Sequence, residues 1–328
     1  MCIRDRITTL LALCLTTTAS FSDVKLGIIL GFTGPIESLT PDMAAGAELA
    51  IDEINKSKHF SMGKVSGVRA DSTCVDSAAA TTAAERLITS DKVNGIMGAD
   101  CSGVTTAVAN NVAVPNGVPM ISPSATSPAL TTIADNGFFF RTAPSDARQG
   151  QVLAAITVEK GFSSVAVTYV NSDYGKGLSD SFGKAFQALG GTVTISVPHE
   201  TGKADYSAEV ASMDSAGGDA MAVFGYVNQG GPGIMQASLD SGSFDKFILA
   251  DGMYGDDLLT NVEGDLTGTF GTVPGTNSKG AATYADMANA AGLKGSGPFT
   301  GESYDAAALL ILAMQSAGST DGAAIASN

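Results

Sequence analysis

Short apolar runs alternate along this chain with longer stretches whose apolar positions recur at helical spacing. Val24 to Leu30 predicts a first strand and Ala44 to Ile54 a helix. Val65 to Ala70, Val93 to Met97 and Pro119 to Ile121 predict further strands, with helices over Ala78 to Ile88 and Val104 to Val112 between them. A repeating β-α pattern implies a parallel sheet covered on both faces. The pattern pauses over Phe138 to Pro144 and then restarts. The second series predicts strands at Ser164 to Val170, Thr192 to Val197, Ala220 to Phe224 and Phe247 to Ala250. Its helices are Ala147 to Glu159, Lys176 to Leu189, Ser207 to Met213 and Ile234 to Leu239. A second extended segment, Gly268 to Pro274, carries the chain back, and helices over Ala281 to Ala290 and Tyr304 to Ala317 rejoin the first series.

The expected architecture is α/β, two lobes joined by extended crossovers. Lobe 1 takes residues 23–142 plus 274–328 and lobe 2 takes 143–273. No closing strand follows the last Ala-rich stretch, so the expectation is of a truncated C-terminus.

The first 22 residues change the picture of where the protein works. Arg4 and Arg6 precede an apolar Ile7 to Leu15, and Thr16 to Ser22 is small and polar, as in a signal peptide cleaved near Ser22-Asp23. Asp5 is unusual in such a leader, so the first six residues need not be the native start. Leu13 is too large for a lipoprotein signal before Cys14. An exported chain meets an oxidising compartment. There Cys74 and Cys101 can pair, closing a loop of about 26 residues for roughly 3 kcal/mol of stabilisation. The bridge would pin the Cys101-Ser102 turn at a strand end.

The net charge is −15, from 33 acidic and 18 basic side chains, which argues against nucleic acid or an anionic membrane surface as partner. Two histidines and no tryptophan leave little for a metal site or a catalytic base. His59 and His199 lie in no metal-ligand or Ser/His/Asp setting and are expected at the surface. The glycines of Gly27 to Gly34 do not spell a dinucleotide fingerprint, and no P-loop or GxSxG elbow occurs. They read as a tight turn bordering a cleft.

Polar clusters follow three strands: Asp100-Cys101-Ser102, Ser122 to Thr126, and Asn171 to Gly175. Each Ser or Thr alone is explained as a helix cap. Together they fall where clefts form in α/β folds, at the carboxyl ends of strands. The hydroxyls of Ser102 and Thr126, with helix N-terminal N–H groups, suit a carboxylate. Asp251 ends a strand of the second lobe and would pair with an ammonium, and Tyr174 and Tyr226 would supply aromatic walls with polar tips.

These residues resemble the extracytoplasmic solute-binding proteins of ABC transporters, in the branch of the leucine/isoleucine/valine-binding protein. The markers are Gly46 to Ala50, the Cys74 and Cys101 pair, Ile121 to Thr126, Phe140-Arg141-Thr142, Asp173 to Gly177, Asp205-Tyr206-Ser207 and Tyr304 to Ala307. The resemblance covers nearly all of residues 23–317. It implies two Rossmann-like lobes, joined by three crossovers, that close on a ligand by hinge motion. It implies that Ser102 and Thr126 hold an amino acid's carboxylate, that the Ser124 carbonyl and Asp251 receive the ammonium, and that Tyr226 closes over it. Leu39, Asp100, Ala125, Tyr174 and Phe299 fall at positions lining the side-chain pocket.

Three residues depart from the branched-chain pattern. Leu39 replaces an aromatic, Asp251 is a methylene shorter than the usual Glu, and Asp100 replaces an apolar residue. An unpaired buried carboxylate is costly. Asp100 is therefore expected either to face solvent or to meet a donor on the ligand, which brings polar and amide compounds in beside aliphatic amino acids. The expected function is capture of an amino acid or related amide for an inner-membrane permease by a periplasmic monomer, without cofactor, metal or turnover. A sensor of the same fold is the alternative. An α/β hydrolase or oxidoreductase is remote, for want of any catalytic motif.

Overall fold

The computed structural model describes residues 23–328; the leader and Cys14 lie outside the described residues. The chain forms two five-stranded sheets, parallel throughout. The first is built from β1 (Val24–Leu30), β2 (Val65–Asp71), β3 (Gly95–Gly98), β4 (Met120–Ser122) and β5 (Phe139–Arg141), in the order β2-β1-β3-β4-β5. The second holds β6 (Ser164–Val170), β7 (Thr192–His199), β8 (Ala220–Phe224), β9 (Phe247–Leu249) and β10 (Phe270–Gly271), in the order β10-β9-β8-β6-β7. The central strands β3 and β8 are buried at every residue, as strands covered on both faces must be. The edge strand β7 alternates in exposure and tolerates Pro198, whose missing N–H would break an interior ladder.

Helices α1 (Thr40–Ser57) and α10 (Thr300–Ala317) pack together on one face of the first sheet, with α11 (Gly322–Ala326) against α10. The other face carries α2 (Ser77–Thr89) and α3 (Ser102–Val108), which continues as a π-helical turn over Ala109–Ala113. Helices α4 (Asp146–Glu159) and α5 (Asp173–Ala188) cover one face of the second sheet, and α6 (Ser207–Ala216) and α7 (Gly231–Ser241) the other. A short α8 (Asp256–Asn261) and α9 (Lys279–Ala290) complete the order. Gly46 permits the close crossing of α1 and α10: a Cβ there would lie 2.4 Å from the Thr300 carbonyl oxygen.

Two segments read as crossovers prove to be strands. Phe139–Arg141 and Phe270–Gly271 are edge strands, and the chain passes between lobes directly after each. They are too short to carry a periodicity. Among the described residues there are two such passages. The disulfide Cys74–Cys101 is formed and ties the loop after β2 to the loop after β3. Both loops lie at the carboxyl edge of the first sheet, where the polar clusters gather.

Candidate functional site

The carboxyl ends of the two sheets face each other across a small cavity of about 30 Å³. Its walls include Leu39, Asp100, Ser102, Ser124 and Phe299 from the first lobe and Tyr174, Tyr226 and Asp251 from the second. Ile36, Met43, Cys101 and Gly252 complete the lining. Eight of the ten expected site residues thus meet at one place. Ala125 and Thr126 do not line it: Ala125 is buried in the core, and Thr126 lies one residue beyond. A wider depression of about 650 Å³ lies between residues 273–283 and the start of α10, and shares Phe299. It gathers none of the polar groups at the strand ends.

Each wall follows from local sequence. Ser102 opens α3, and its Oγ accepts the Ser127 N–H at 3.1 Å, which leaves the hydroxyl proton free to donate. Ser124 donates its Oγ to the Asp100 carbonyl at 3.1 Å. Thr126 is 1 % exposed; its hydroxyl makes no well-formed hydrogen bond among the described residues, but it lies close enough to Asp146 to hold that carboxyl's pKa down in part. Phe299 caps α10 with φ 59°, a left-handed conformation that costs an ordinary side chain about 1 kcal/mol or more. That backbone points its ring to the cavity.

Asp100 does not face solvent, and it lines the cavity with its oxygens already partnered. It is buried, 1 % exposed, and pairs within its own lobe. Its Oδ2 accepts the Gly31 N–H at 2.6 Å and its Oδ1 accepts the Ser72 hydroxyl at 2.8 Å. Burial pushes its pKa up, and these hydrogen bonds hold it down in part. The carboxylate therefore joins the ends of β1, β2 and β3 and does not require a donor from a ligand.

On the opposite wall, Asp251 is 4 % exposed. Its Oδ1 accepts Gln149 Nε2 at 2.7 Å and the Tyr174 hydroxyl at 3.3 Å. Tyr174 also accepts the Gly252 N–H at 3.2 Å and stacks on Tyr226 with ring centroids 5.4 Å apart. Burial raises the pKa of Asp251, of Tyr174 and of Tyr226. Asp146 and Gln149, at the start of α4, were not singled out in the sequence. Asp146 follows the capping Ser145 and reads as an ordinary acidic first turn. It is fully buried, and burial and then the neighbouring Asp251 push its pKa well up.

The lobes also meet outside the cavity. Asn228 Oδ1 accepts from Ser38 N at 3.2 Å and Ser38 Oγ at 2.9 Å, and Asn228 N donates to the Pro35 carbonyl at 3.0 Å. Thr106 Oγ1 donates to Asp173 at 2.9 Å. Small-molecule sites usually offer about 300–1,000 Å³, so the lobes are closed in this structure and must part to admit a solute. His59 is exposed as expected, but His199 is not: it is 2 % exposed, under the loop that carries Tyr226, with Nδ1 at 2.9 Å from Thr168 Oγ1.

Residues 23–328 match the sequence profile of the periplasmic binding protein family. The chain belongs to that family. It is similar to the Leu/Ile/Val-binding protein homolog 3 of Brucella melitensis, 29% identical over 324 residues, covering 93% of this chain and 82% of the relative. Among solved structures it resembles the leucine-binding protein LivK of Thermotoga maritima, with TM-score 0.81 and 27% identity over 93% of this chain and 86% of that one. It also resembles a solute-binding protein from R. palustris in complex with 4-hydroxybenzoate, with TM-score 0.79 and 20% identity over 93% and 84% of the two chains. At that identity the last comparison shows the fold alone. The family consists of periplasmic solute-binding proteins, not enzymes, and this chain has a solute-binding role.

Proposed function

We propose that the protein captures an α-amino acid with an apolar side chain between its lobes and presents it to an inner-membrane permease. The observation that carries this reading is the pairing of unlike walls in one cavity. Ser102 offers a hydroxyl for a carboxylate, Asp251 faces it from the other lobe with a buried carboxyl, and Ile36, Leu39, Met43 and Phe299 give apolar surface for a side chain beside Asp100, which is already paired with Gly31 and Ser72. The Ser124 carbonyl would join Asp251 on the ammonium, and Tyr174 and Tyr226 would close over both; Thr126, which does not line the cavity, is left out of the contact. An aromatic acid has no cation to answer Asp251, which disfavours a hydroxybenzoate. With Asp100 satisfied inside its lobe, the reason to prefer a polar or amide ligand falls away.

The two lobes would move as units, residues 23–142 with 274–328 against 143–273, about the segments that follow β5 and β10. Residues 1–22 would direct export as a cleaved signal peptide, and the mature protein would act as a monomer. The test is calorimetric titration of L-leucine into the wild type and the Ser102→Ala and Asp251→Asn variants. Loss of a hydrogen bond to a charged group costs about 1.5–3 kcal/mol, a roughly tenfold to hundredfold weaker Kd. Both variants are expected to fall in that range while remaining folded. Wild-type affinity in both variants refutes the assignment.

A further inference from the structure

Behind the ligand-facing wall lies a group of buried polar atoms that make no well-formed hydrogen bond among the described residues. Asp146 is 0 % exposed, and neither of its carboxyl oxygens makes one. One turn further along the same face of α4, Gln149 spends its Nε2 on Asp251 Oδ1 at 2.7 Å and on the Thr272 carbonyl at 3.1 Å. Its Oε1 is buried and makes no well-formed hydrogen bond, and neither does Thr126 Oγ1. The backbone N–H of Asp146 donates to the Thr126 carbonyl at 2.9 Å, which fixes the start of α4 against the loop that carries Ser124.

The charged and titratable groups that face Asp146 come from four other elements. They are Asp251 after β9, Arg141 on β5, Tyr174 on α5 and Tyr226 after β8. Only Arg141 is cationic; its charge holds the Asp146 pKa down in part, but none of its hydrogen bonds goes to Asp146. Its Nη1 donates to the carbonyls of Ala125 and Ser127 at 3.0 and 2.9 Å, and its Nη2 to Thr131 Oγ1 at 2.8 Å. The phenols of Tyr174 and Tyr226 stay neutral, since burial raises both.

Two neighbouring buried carboxyls do not both ionise cheaply. One proton on the pair removes a charge, and it adds a donor to a group where only the Thr126 hydroxyl, itself without a well-formed hydrogen bond, stands near Asp146. An arriving ammonium does the same for charge without a proton. We propose that Asp146 and Asp251 hold one proton between them in the free protein, and that capture of the ligand's ammonium group displaces it to solvent. Asp146 is then a positioning residue that acts through Asp251: it sets the protonation state of the carboxyl that meets the ligand. The inference rests on the amino-acid reading only for its second half. In that step no bond but O–H breaks, the proton passes to water or buffer, and the ligand's positive charge takes its place beside the carboxylates.

The first test needs no ligand. Carbon-13 NMR of protein labelled at the aspartate carboxyl carbons is followed from about pH 4 to about pH 8, with Asp146→Asn and Asp251→Asn to assign the signals. We expect a carboxyl that titrates well above the ordinary aspartate range in the wild type and is lost or moved down in Asp146→Asn. If every carboxyl titrates in the ordinary range, the shared proton is refuted.

The second test titrates L-leucine into wild type and Asp146→Asn at several pH values, in two buffers of different ionisation enthalpy. The wild type is expected to release up to about one proton per leucine and to bind up to about tenfold more weakly for each unit of acidification below the pair's titration. In Asp146→Asn the release shrinks and the profile flattens, which a merely structural role would not produce. Equal release by both proteins, or none by the wild type, overturns the coupling. A wild type that binds no amino acid at any pH refutes the functional reading and the coupling with it, while the NMR result still decides the shared proton.

Discussion

Replacing Asp100 separates a structural role from a ligand-facing one. Its two oxygens accept from Gly31 N at 2.6 Å and Ser72 Oγ at 2.8 Å. Each hydrogen bond to a charged group contributes about 1.5–3 kcal/mol, and a stranded buried N–H costs about 1–3 kcal/mol. Burial of the charge, which raises its pKa, offsets part of that. Asp100→Ala deletes both bonds and leaves the Gly31 N–H unpaired, for an expected net loss of about 2–4 kcal/mol. Asp100→Asn keeps the shape, and its oxygen can still accept from Gly31. Ser72 can turn its hydroxyl to accept from the new amide, so the cost falls to about 1–2 kcal/mol. The chain has no tryptophan, so urea unfolding is followed by circular dichroism. The reasoning predicts this order of stabilities with no change in which amino acid binds best. Unchanged stability together with a switch of preference toward a polar or cationic side chain would refute it.

Three further predictions follow from the packing. Asn228→Ala removes the acceptor that Ser38 uses across the cleft. At about 0.5–1.5 kcal/mol for each of the two bonds, ligand affinity should fall by roughly fivefold to 150-fold, read by calorimetry; an unchanged Kd would show that this contact does not hold the lobes shut. His199 is neutral in the folded chain until its pKa, pushed down to about 4 by burial, whereas the unfolded chain takes up a proton near 6.5. The unfolded state binds more protons between those values. Stability should therefore fall as pH drops from 6.5 to about 4, by about 3 kcal/mol relative to His199→Leu measured at each pH. Parallel curves for the two proteins would contradict this. Gly46→Ala puts a Cβ 2.4 Å from the Thr300 carbonyl oxygen, so α1 and α10 must separate. A loss of about 1–3 kcal/mol in chemical unfolding is expected, and a neutral result would show that the crossing relaxes freely.

The parts of this molecule legible in its sequence share a physical cause. Val24–Leu30, Ser164–Val170 and Ala220–Phe224 are apolar runs bounded by turn residues, and the structure reproduces those limits. The polar clusters at Asp100, Ser124 and Asp251 were found because parallel sheets gather their strand ends on one edge. What escaped depends on partners far away in the chain. β5 and β10 are strands only because β4 and β9 lie beside them. Six polar-rich residues make α8, too few for a period. The role of Asp100 is set by Gly31 and Ser72, each on a different strand end. His199 ends an exposed edge strand and is covered by the glycine-rich loop after β8. Asp146 passes unnoticed in the sequence as an acidic residue in a helix's first turn, and its burial shows only once α4 lies against Thr126 and Asp251.

The most direct test of the central claim is a thermal-shift comparison of L-leucine, L-isoleucine and L-valine with 4-hydroxybenzoate, isoamylamine and 4-methylpentanoate. The last two carry only the ammonium-bearing half or only the carboxylate half of leucine. At about 100 times its Kd, a ligand stabilises the fold by about 2.7 kcal/mol, a readable shift. The account predicts that a whole aliphatic amino acid raises the melting temperature while neither half nor the aromatic acid does. A shift with 4-hydroxybenzoate or 4-methylpentanoate, and none with the amino acids, would contradict it.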